Sequence, residues 1–215
     1  MRIDVIFDTV CPWCYIGKRR LDRALAARPD VVPDIRWRSF LLNPEIPHEG
    51  LDRQQYLERK FGSTYRIHRV HGAAMLAGQP EGIAFDFEAM TRTPSSILSH
   101  QLIQYAIGSG HQGEVVEAIF RAYFVEGLDI GDVAVLRRVA KSCGLPGNEA
   151  ADYLRGGTGT VAVQAEHGRM QRLGVSGVPC YIFDERYAIS GAQEPDILVR
   201  LIDIARESQL EAASS

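Results

Sequence analysis

The spacing of apolar residues divides the first 50 positions into a strand, a helix and a second strand. Residues 3–7 are almost wholly apolar, as in a buried strand. Residues 15–27 follow with helical spacing, and residues 36–42 return to the aromatic and apolar content of a strand. Because such a unit normally forms a right-handed parallel crossover, functional residues are expected at the carboxyl end of the first strand.

Residues 51–172 show a helical pattern instead. Clusters of glycine and proline separate the apolar stripes, and Ser95 and Asp132 are candidate N-caps for two of the helices. The stripes consist of Ile97, Leu98, Leu102, Ile103, Tyr105 and Ala106, then Val115, Val116, Ile119, Phe120 and Phe124, then Val135, Leu136, Val139 and Ala140.

The remaining residues predict a hairpin and a closing helix. Residues 178–183 and 187–190 have the composition of two strands joined by a short turn. Residues 195–205 form an amphipathic helix, and the polar residues 207–215 are predicted to be a flexible tail.

This order of elements indicates one sheet built from both ends of the chain. We predict a discontinuous α/β domain of residues 1–50 and 174–206, a helical insertion of residues 51–173 and a tail of residues 207–215. The chain has 215 residues, of which 46% are hydrophobic and 24% charged, and is therefore long enough to bury a core of this kind.

The charge and the distribution of apolar residues argue against nucleic-acid and membrane partners. The formal net charge is -3, and no run of Lys and Arg alternates with aromatic residues. No stretch reaches the roughly 18–20 apolar residues that cross a bilayer, and residues 1–8 lack the pattern of a secretion signal. We therefore expect a cytoplasmic protein, in which a permanent structural disulfide would be unusual.

The strongest chemical signal is Cys11-Pro12-Trp13-Cys14, between the first strand and the first helix. At a helix N-terminus, unpaired backbone N–H groups and the helix dipole favour a thiolate. Cys11, nearer the helix end and more exposed, is expected to attack a disulfide, and Cys14 to resolve the mixed disulfide. Pro12 stiffens the loop, and Trp13 offers a flat, uncharged surface beside the sulfurs.

The other cysteines and two of the histidines do not favour a metal site. Structural zinc normally uses a second close pair, whereas Cys143 and Cys180 are isolated in the sequence. Cys180, directly after Pro179, is either a third thiol near the site or, as we favour, a core residue, and Cys143 is predicted to be structural. His68 and His71 lie three positions apart without a third ligand nearby.

Three further features are weaker. Residues 108–113 (GSGHQG) match a dinucleotide-binding pattern, but they follow a helix, so we predict a turn between helices. Asp8, three residues before Cys11, is either a proton acceptor or a helix cap. His100 lies on a helix of the insertion and is interpreted as a packing or surface residue outside the site.

Several segments together resemble a known family. The strand–CxxC–helix–strand order, the late Val178-Pro179 that opens a hairpin, and the closing helix resemble the thioredoxin fold, and the large helical insertion is similar to the DsbA family. The closer likeness is to the FrnE-like branch of DsbA-type oxidoreductases and lies in residues 11–18 (CPWCYIGK), 41–44 (LLNP), 174–179 (GVSGVP) and 189–193 (ISGAQ). The resemblance spans nearly the whole chain and implies an α/β, thioredoxin-like fold with a large all-helical insertion.

The resemblance implies a thiol-disulfide oxidoreductase that acts on protein or small-molecule disulfides. The implied site residues are Cys11 and Cys14 as catalytic thiols, Pro12 and Trp13 as the loop between them, and Val178 and Pro179 as substrate-binding residues. Pro179 would follow a cis peptide bond facing the CxxC, with a trans proline in an edge strand as the alternative. Neither a metal nor an organic cofactor is implied, and glutathione stays open as a co-substrate.

Two other functions stay open. The superfamily also contains glutathione-dependent 2-hydroxychromene-2-carboxylate isomerases and kappa-class glutathione transferases, which typically have serine at the position of Cys11. Both thiols are retained here, which favours disulfide exchange over glutathione-dependent conversion of an aromatic or polyketide-like molecule. The third function is a non-enzymatic binding module that keeps the thiols for stability. The expected partners are thiols or disulfides, and the protein is expected to be a monomer or a homodimer.

Overall fold

Outside the insertion, the strands and helices follow the predicted order. The structure is a computed structural model that describes residues 1–213. Within these residues the strands are β1 (Arg2–Phe7), β2 (Asp34–Ser39), β3 (Leu51–Asp52), β4 (Arg92–Thr93), β5 (Cys180–Phe183) and β6 (Tyr187–Ser190). The α-helices are α1 (Pro12–Ala26), α2 (Arg53–Phe61), α3 (Thr64–Gly78), α4 (Ile97–Tyr105), α5 (Gln112–Phe124), α6 (Val133–Ser142), α7 (Gly147–Arg155), α8 (Thr158–Arg172) and α9 (Pro195–Ala213). A 3₁₀ turn, Gln79–Glu81, follows α3.

Four strands form one mixed sheet in the order β2-β1-β5-β6. β1 and β2 are parallel, with Val5 opposite Trp37. β5 runs antiparallel to β1, with Ile6 opposite Cys180, and β6 completes a hairpin with β5. Strands from both ends of the chain therefore pair in one sheet, and the predicted α/β class with a helical insertion is confirmed.

The central strand β1 is buried along almost its whole length because helices cover both faces of the sheet. Its apolar residues Ile3, Val5, Ile6 and Phe7 are all buried, which explains the nearly continuous apolar run. Asp4 is the exception. This buried carboxylate forms ion pairs with Arg2 at 2.7 Å and Arg38 at 2.6 Å, and the pairing compensates for its loss of solvent.

The helical insertion and the sheet share one core. The apolar stripe predicted on α5 is buried at every position. Tyr15 of α1 stacks on Phe120 of α5, with ring centroids 5.0 Å apart. Phe85 and Phe87, from the segment between α3 and α4, stack on each other at 5.1 Å, and Phe85 also meets the edge of Tyr15 at 6.1 Å. Aromatic packing therefore joins α1 to the insertion.

The insertion is not entirely helical, which corrects the prediction for residues 51–172. Residues 82–91 lie outside helices and strands, and β3 and β4 pair as a short antiparallel ribbon with Leu51 opposite Thr93. Pro80 and Gly82 end the helical run, and two-residue strands are too short to leave a periodic pattern in the sequence.

Helix boundaries also differ from the predicted ones. α1 begins at Pro12 rather than at residue 15, and α9 continues to Ala213, so residues 207–213 are helical rather than a flexible tail. The hydroxyls of Tyr187 and Ser208 lie 2.7 Å apart, so the hairpin holds the end of α9. Ser214 and Ser215, the rest of the predicted tail, lie outside the described residues.

Of the two predicted N-caps, one is confirmed. The Ala134 N–H donates to Asp132 Oδ1 at 2.7 Å at the start of α6. Ser95 does not cap α4, because this helix begins one residue later, after Ser96. Ser96 occupies the N-cap position, but its side chain forms no capping hydrogen bond.

A buried ion-pair cluster ties α1 to the 3₁₀ turn and to the start of α9. Glu81 is buried and contacts Arg20 Nε and Arg23 Nη1, each at 3.0 Å. Arg20, also buried, contacts Glu194 at 2.7 Å and donates to the Ala192 carbonyl at 2.7 Å. Because a buried charge is costly once it loses its partner, this cluster fixes three parts of the chain relative to one another.

We expect Glu81→Gln to lower the free energy of unfolding by about 3 kcal/mol, near the low end for breaking a buried ion pair because Glu194 still faces Arg20. Urea denaturation followed by circular dichroism at pH 7 measures this change. The control is Glu185→Gln, which removes an exposed partner of Arg2 and should cost less than about 1 kcal/mol. Equal effects of the two substitutions would contradict the role of the cluster.

Candidate functional site

The CxxC motif begins at the N-cap of α1. Cys11 has an extended backbone (φ -98°, ψ 112°), and its carbonyl accepts the Cys14 N–H at 3.0 Å. Pro12 fills the first helical position, where a missing N–H costs nothing. Within residues 1–213 no side chain caps this helix end. Cys11 therefore lies at the positive end of the helix dipole.

Both thiols of the motif are free and largely covered. Cys11 is 5% exposed and Cys14 is 2% exposed, so the expected order holds but the difference is small. Trp13, between them in sequence, is 36% exposed. The Val178 carbonyl oxygen lies 3.8 Å from Cys11 Sγ. Cys11 is therefore nearly covered, with the Val178 backbone beside its sulfur.

The loop before β5 lies against the motif, as the resemblance implied. The Val178–Pro179 peptide bond is cis. The Gly191 N–H donates to the Pro179 carbonyl at 2.7 Å, which anchors this loop to the end of β6. The structure thus brings the CxxC and Val178-Pro179 together, while their catalytic and substrate-binding roles stay predictions.

Burial raises the pKa of the Cys14 thiol well above its ordinary value. Cys11 raises the pKa further through a hydrogen bond and its charge, and the charge of Asp8 adds to this, whereas a hydrogen bond with the Asp8 backbone lowers it. Cys14 is therefore protonated at neutral pH. It has to lose a proton when it attacks another sulfur.

Asp8 is fully buried beside the motif and does not cap α1. Its Oδ2 accepts the Leu42 N–H at 2.7 Å, and its Oδ1 accepts the Val10 N–H at 3.4 Å. Of the two interpretations from sequence, the helix cap is therefore wrong, because the carboxylate turns toward the end of β2. Asp8 is therefore a buried acceptor of two backbone N–H groups, and its charge is one of the causes that raise the pKa of Cys14.

His100, which the sequence interpretation left outside the site, lies next to Asp8. The imidazole is fully buried, its Nε2 is 3.4 Å from Asp8 Oδ1, and its ring packs edge-on against Phe7 at 5.1 Å. The contact is longer than an ordinary N–H···O hydrogen bond. α4 carries no Asp, Glu, Lys or Arg. That composition is typical of a helix buried all round and would have signalled an interior histidine.

Gly17 of α1 lies close to Tyr181 of β5 and to Pro179. A Cβ atom there would lie 2.2 Å from Tyr181 Oη and 3.0 Å from Pro179 Cγ. Burial, followed by the charges of Cys14 and Cys11, raises the pKa of Tyr181 well above its ordinary value. Its hydroxyl has no hydrogen-bond partner among the described residues. A glycine within a predicted helix was the signal for this close approach.

The two other cysteines are core residues, as predicted. Cys180 is buried against Ile6, Phe40 and Met170, on the side of the sheet away from the main core. Cys143 is buried at the end of α6. Burial raises the pKa of both thiols. Neither cysteine joins the site.

The described part of the chain contains no group of three or more His, Cys, Asp or Glu side chains arranged to hold a metal ion. His71 instead stacks on Phe87. Residues 106–111 connect α4 to α5, so the 108–113 segment forms the turn between two helices and the first residues of the second, as predicted. Among residues 1–213 no helix combines the length and apolar character required to span a membrane.

The sheet, the CxxC at the start of α1 and the facing Val178-Pro179 loop define a thioredoxin-type thiol protein. The sequence profile of the DSBA-like thioredoxin domain matches residues 2–203, and the chain belongs to that family.

Solved structures agree with this assignment. A probable DsbA oxidoreductase from Streptomyces coelicolor is 27% identical, with a TM-score of 0.86 over 96% of this chain and 90% of that chain. A 2-hydroxychromene-2-carboxylate isomerase is 17% identical, with a TM-score of 0.70 over 100% of both chains. The cytosolic disulfide reductase DsbM from Pseudomonas aeruginosa, in its structure with GSH, is 20% identical, with a TM-score of 0.68 over 98% of this chain and 100% of that chain. The last two similarities show the fold alone.

We expect Gly17→Ala to destabilise the protein by about 1–3 kcal/mol, because the new methyl group would push α1 away from Tyr181 and Pro179. Chemical denaturation measures the loss, and the alkylation rate of Cys11 reports whether the motif has moved. Gly72→Ala on α3 is the matched control, since a Cβ there meets nothing within 4 Å. A Gly17→Ala protein as stable as wild type would show that this close approach is not required.

Proposed function

We propose that the protein is a cytoplasmic thiol-disulfide oxidoreductase of the FrnE-like branch, acting on protein or small-molecule disulfides. The observation that carries the proposal is a pair of free thiols at the N-terminus of α1, with the Val178 carbonyl 3.8 Å from Cys11 Sγ. The relatives described as a probable DsbA oxidoreductase and a cytosolic disulfide reductase support the reaction class, and the latter supports the compartment.

The reaction proceeds in two exchanges. The Cys11 thiolate attacks one sulfur of the substrate disulfide, forms a mixed disulfide and releases the other sulfur as a thiolate that takes up a proton. Cys14 then loses its proton and attacks Cys11 Sγ, which releases the second substrate thiol and leaves a Cys11–Cys14 disulfide. Two electrons pass to the substrate, and the reverse sequence oxidises a substrate dithiol.

Asp8 is the proposed proton acceptor for Cys14. The carboxylate is fully buried and close enough for its charge to raise the pKa of Cys14. As Cys14 attacks, negative charge moves from its sulfur to the leaving sulfur, so a nearby base can take the proton during the attack. His100, 3.4 Å from Asp8 Oδ1, acts as a positioning residue for that carboxylate.

Glutathione is the proposed thiol that resets the oxidised pair. Two glutathione molecules reduce the Cys11–Cys14 disulfide and leave as glutathione disulfide, which requires neither a metal nor an organic cofactor. The GSH named in the DsbM structure supports this choice. A glutathione-dependent isomerase would instead use glutathione without consuming the pair, so it would keep its activity when Cys14 is replaced by serine.

We expect the Cys14→Ser protein to retain substrates as mixed disulfides on Cys11, because the resolving thiol is missing. Trapping from a cell extract, followed by mass spectrometry without reductant, identifies them. Cys11→Ser is the matched control, since it keeps Cys14, Cys143 and Cys180 and should trap none of the same species. If Cys14→Ser captures only buffer thiols, and the wild type neither reduces insulin nor reactivates scrambled ribonuclease, the proposal is wrong.

We expect Asp8→Asn to slow the attack of Cys14 on the mixed disulfide by about 100-fold, the low end of general-base effects. Rapid mixing with a model disulfide should show the mixed disulfide accumulating, and its decay should become proportional to hydroxide concentration below the pKa of Cys14. Asp4→Asn is the control, because Asp4, within β1, is another buried carboxylate but is paired with Arg2 and Arg38. An unchanged pH profile for Asp8→Asn would exclude the carboxylate as proton acceptor.

A further inference from the structure

Arg53, at the start of α2, is a buried cation without a carboxylate partner among residues 1–213. The residue is 8% exposed. Its Nη1 donates to Tyr123 Oη at 3.2 Å, and its Nε is buried with no acceptor in the described part of the chain. The guanidinium carbon also lies 6.0 Å from the centroid of the Tyr123 ring. Because a buried charge is costly unless it is paired with an opposite charge, a buried guanidinium without a carboxylate indicates a place for an anion.

The other buried Lys and Arg side chains, unlike Arg53, are all paired with carboxylates. Each buried Lys or Arg other than Arg53 contacts two carboxylates within 3.0 Å. Arg20 contacts Glu81 and Glu194, and Lys18 contacts Asp22 and Glu117. Pairing is therefore the rule for buried cations in this chain, and Arg53 departs from it.

Arg53 lines a cleft of about 1020 Å³ between α2, α3 and residues 85–91. Gly72 lies on the wall formed by α3, where an added Cβ would meet no atom within 4 Å. Such a volume accommodates a small organic molecule. The apolar part of the lining consists of Leu57, Ile67, Met75, Phe85, Phe87 and Met90.

His71 adds a flat, uncharged wall to the cleft. Its ring stacks on Phe87, with centroids 4.2 Å apart and an interplanar angle of 10°. Burial, followed by the charges of Arg53 and His68, lowers the pKa of His71 to about 4. The imidazole is therefore neutral at pH 7, and Arg53 supplies the positive charge deep in the cleft.

Four carboxylates also line the cleft, but they are exposed and do not pair with Arg53. Asp52 accepts the Gln55 N–H at the start of α2, and Asp86 accepts the N–H groups of Glu88 and Ala89. Negative charge at the mouth disfavours a dianion such as phosphate. A single carboxylate suits the guanidinium better, because it carries one negative charge and forms a charge-assisted hydrogen bond with an N–H donor. The four residues are Asp52, Glu58, Asp86 and Glu88.

We propose that this cleft binds a small monocarboxylate with an apolar body, whose carboxylate pairs with Arg53 and whose body lies against Phe87, Met75 and Met90. The site is separate from the thiols, since none of the four cysteines lines the cleft. Binding therefore does not depend on the proposed redox function, and the Cys11→Ser, Cys14→Ser protein should bind as the wild type does.

The test uses 4-phenylbutyrate as the probe, with 4-phenylbutan-1-ol and inorganic phosphate as matched comparisons. Titration calorimetry on the full chain should give saturable binding of the carboxylate, and binding of the alcohol weaker by about tenfold or more because the charged hydrogen bonds are absent. Phosphate should not bind at this cleft. The methyl signals of Met75 and Met90, in a protein with ¹³C-labelled methionine methyls, should shift with the same dissociation constant.

Two variants, Arg53→Met and Gly72→Leu, locate the site, and Arg59→Met is their control. Arg53→Met removes the charge and should weaken binding of 4-phenylbutyrate about tenfold or more. Arg59→Met, which changes an exposed arginine of the same helix, should leave the affinity unchanged. Gly72→Leu fills the cleft without touching Arg53 and should also weaken binding, so it decides the question if Arg53→Met fails to fold. No saturable binding, equal binding of the alcohol, or unchanged affinity in Gly72→Leu would overturn the proposal.

Discussion

The close approach of α1 to the loop before β5 is the constraint on which the site depends. The spacing of the CxxC alone places two sulfurs on one helical turn, but it does not decide what faces them. The missing side chain of Gly17 lets the helix lie against Pro179 and Tyr181. The bond from Gly191 to the Pro179 carbonyl holds the other side of this contact. The Val178 carbonyl can therefore stand 3.8 Å from Cys11 Sγ.

Burial makes the two thiols of the motif chemically unequal. Cys14 lies deeper than Cys11, and its environment disfavours a thiolate, partly because the charge of Asp8 is near. The same carboxylate that opposes ionisation of Cys14 at rest can accept its proton during attack. In the proposed mechanism both effects act together, because proton transfer accompanies sulfur attack and the negative charge leaves Cys14 as it forms. A stable Cys14 thiolate is not needed.

The sequence was informative where a pattern was long or a motif was local, and weak where contacts join distant residues. The apolar residues of β1, the apolar stripe of α5 and the CxxC motif are each local in sequence, so periodicity and spacing predicted them. The pairing of Leu51 with Thr93 and the contact of Asp8 with His100 join segments far apart in sequence. The same is true of the bond from Leu42 N to Asp8, which turned a candidate helix cap into a buried acceptor. Such contacts depend on tertiary packing, which one-dimensional patterns do not encode.

The insertion belongs to the site rather than merely covering it. α4 supplies His100 beside Asp8, and the hydroxyls of Thr9 and Ser99 lie 2.7 Å apart in the interior. Both contacts involve the short connection between β1 and α1, which leads to Cys11. Without α4, this connection and the Asp8 carboxylate would face solvent, where a charge has weaker effects on a neighbouring thiol. Burial remains the largest cause of the raised pKa of Cys14, but the smaller contribution from the charge of Asp8 depends on the sheet and the insertion together.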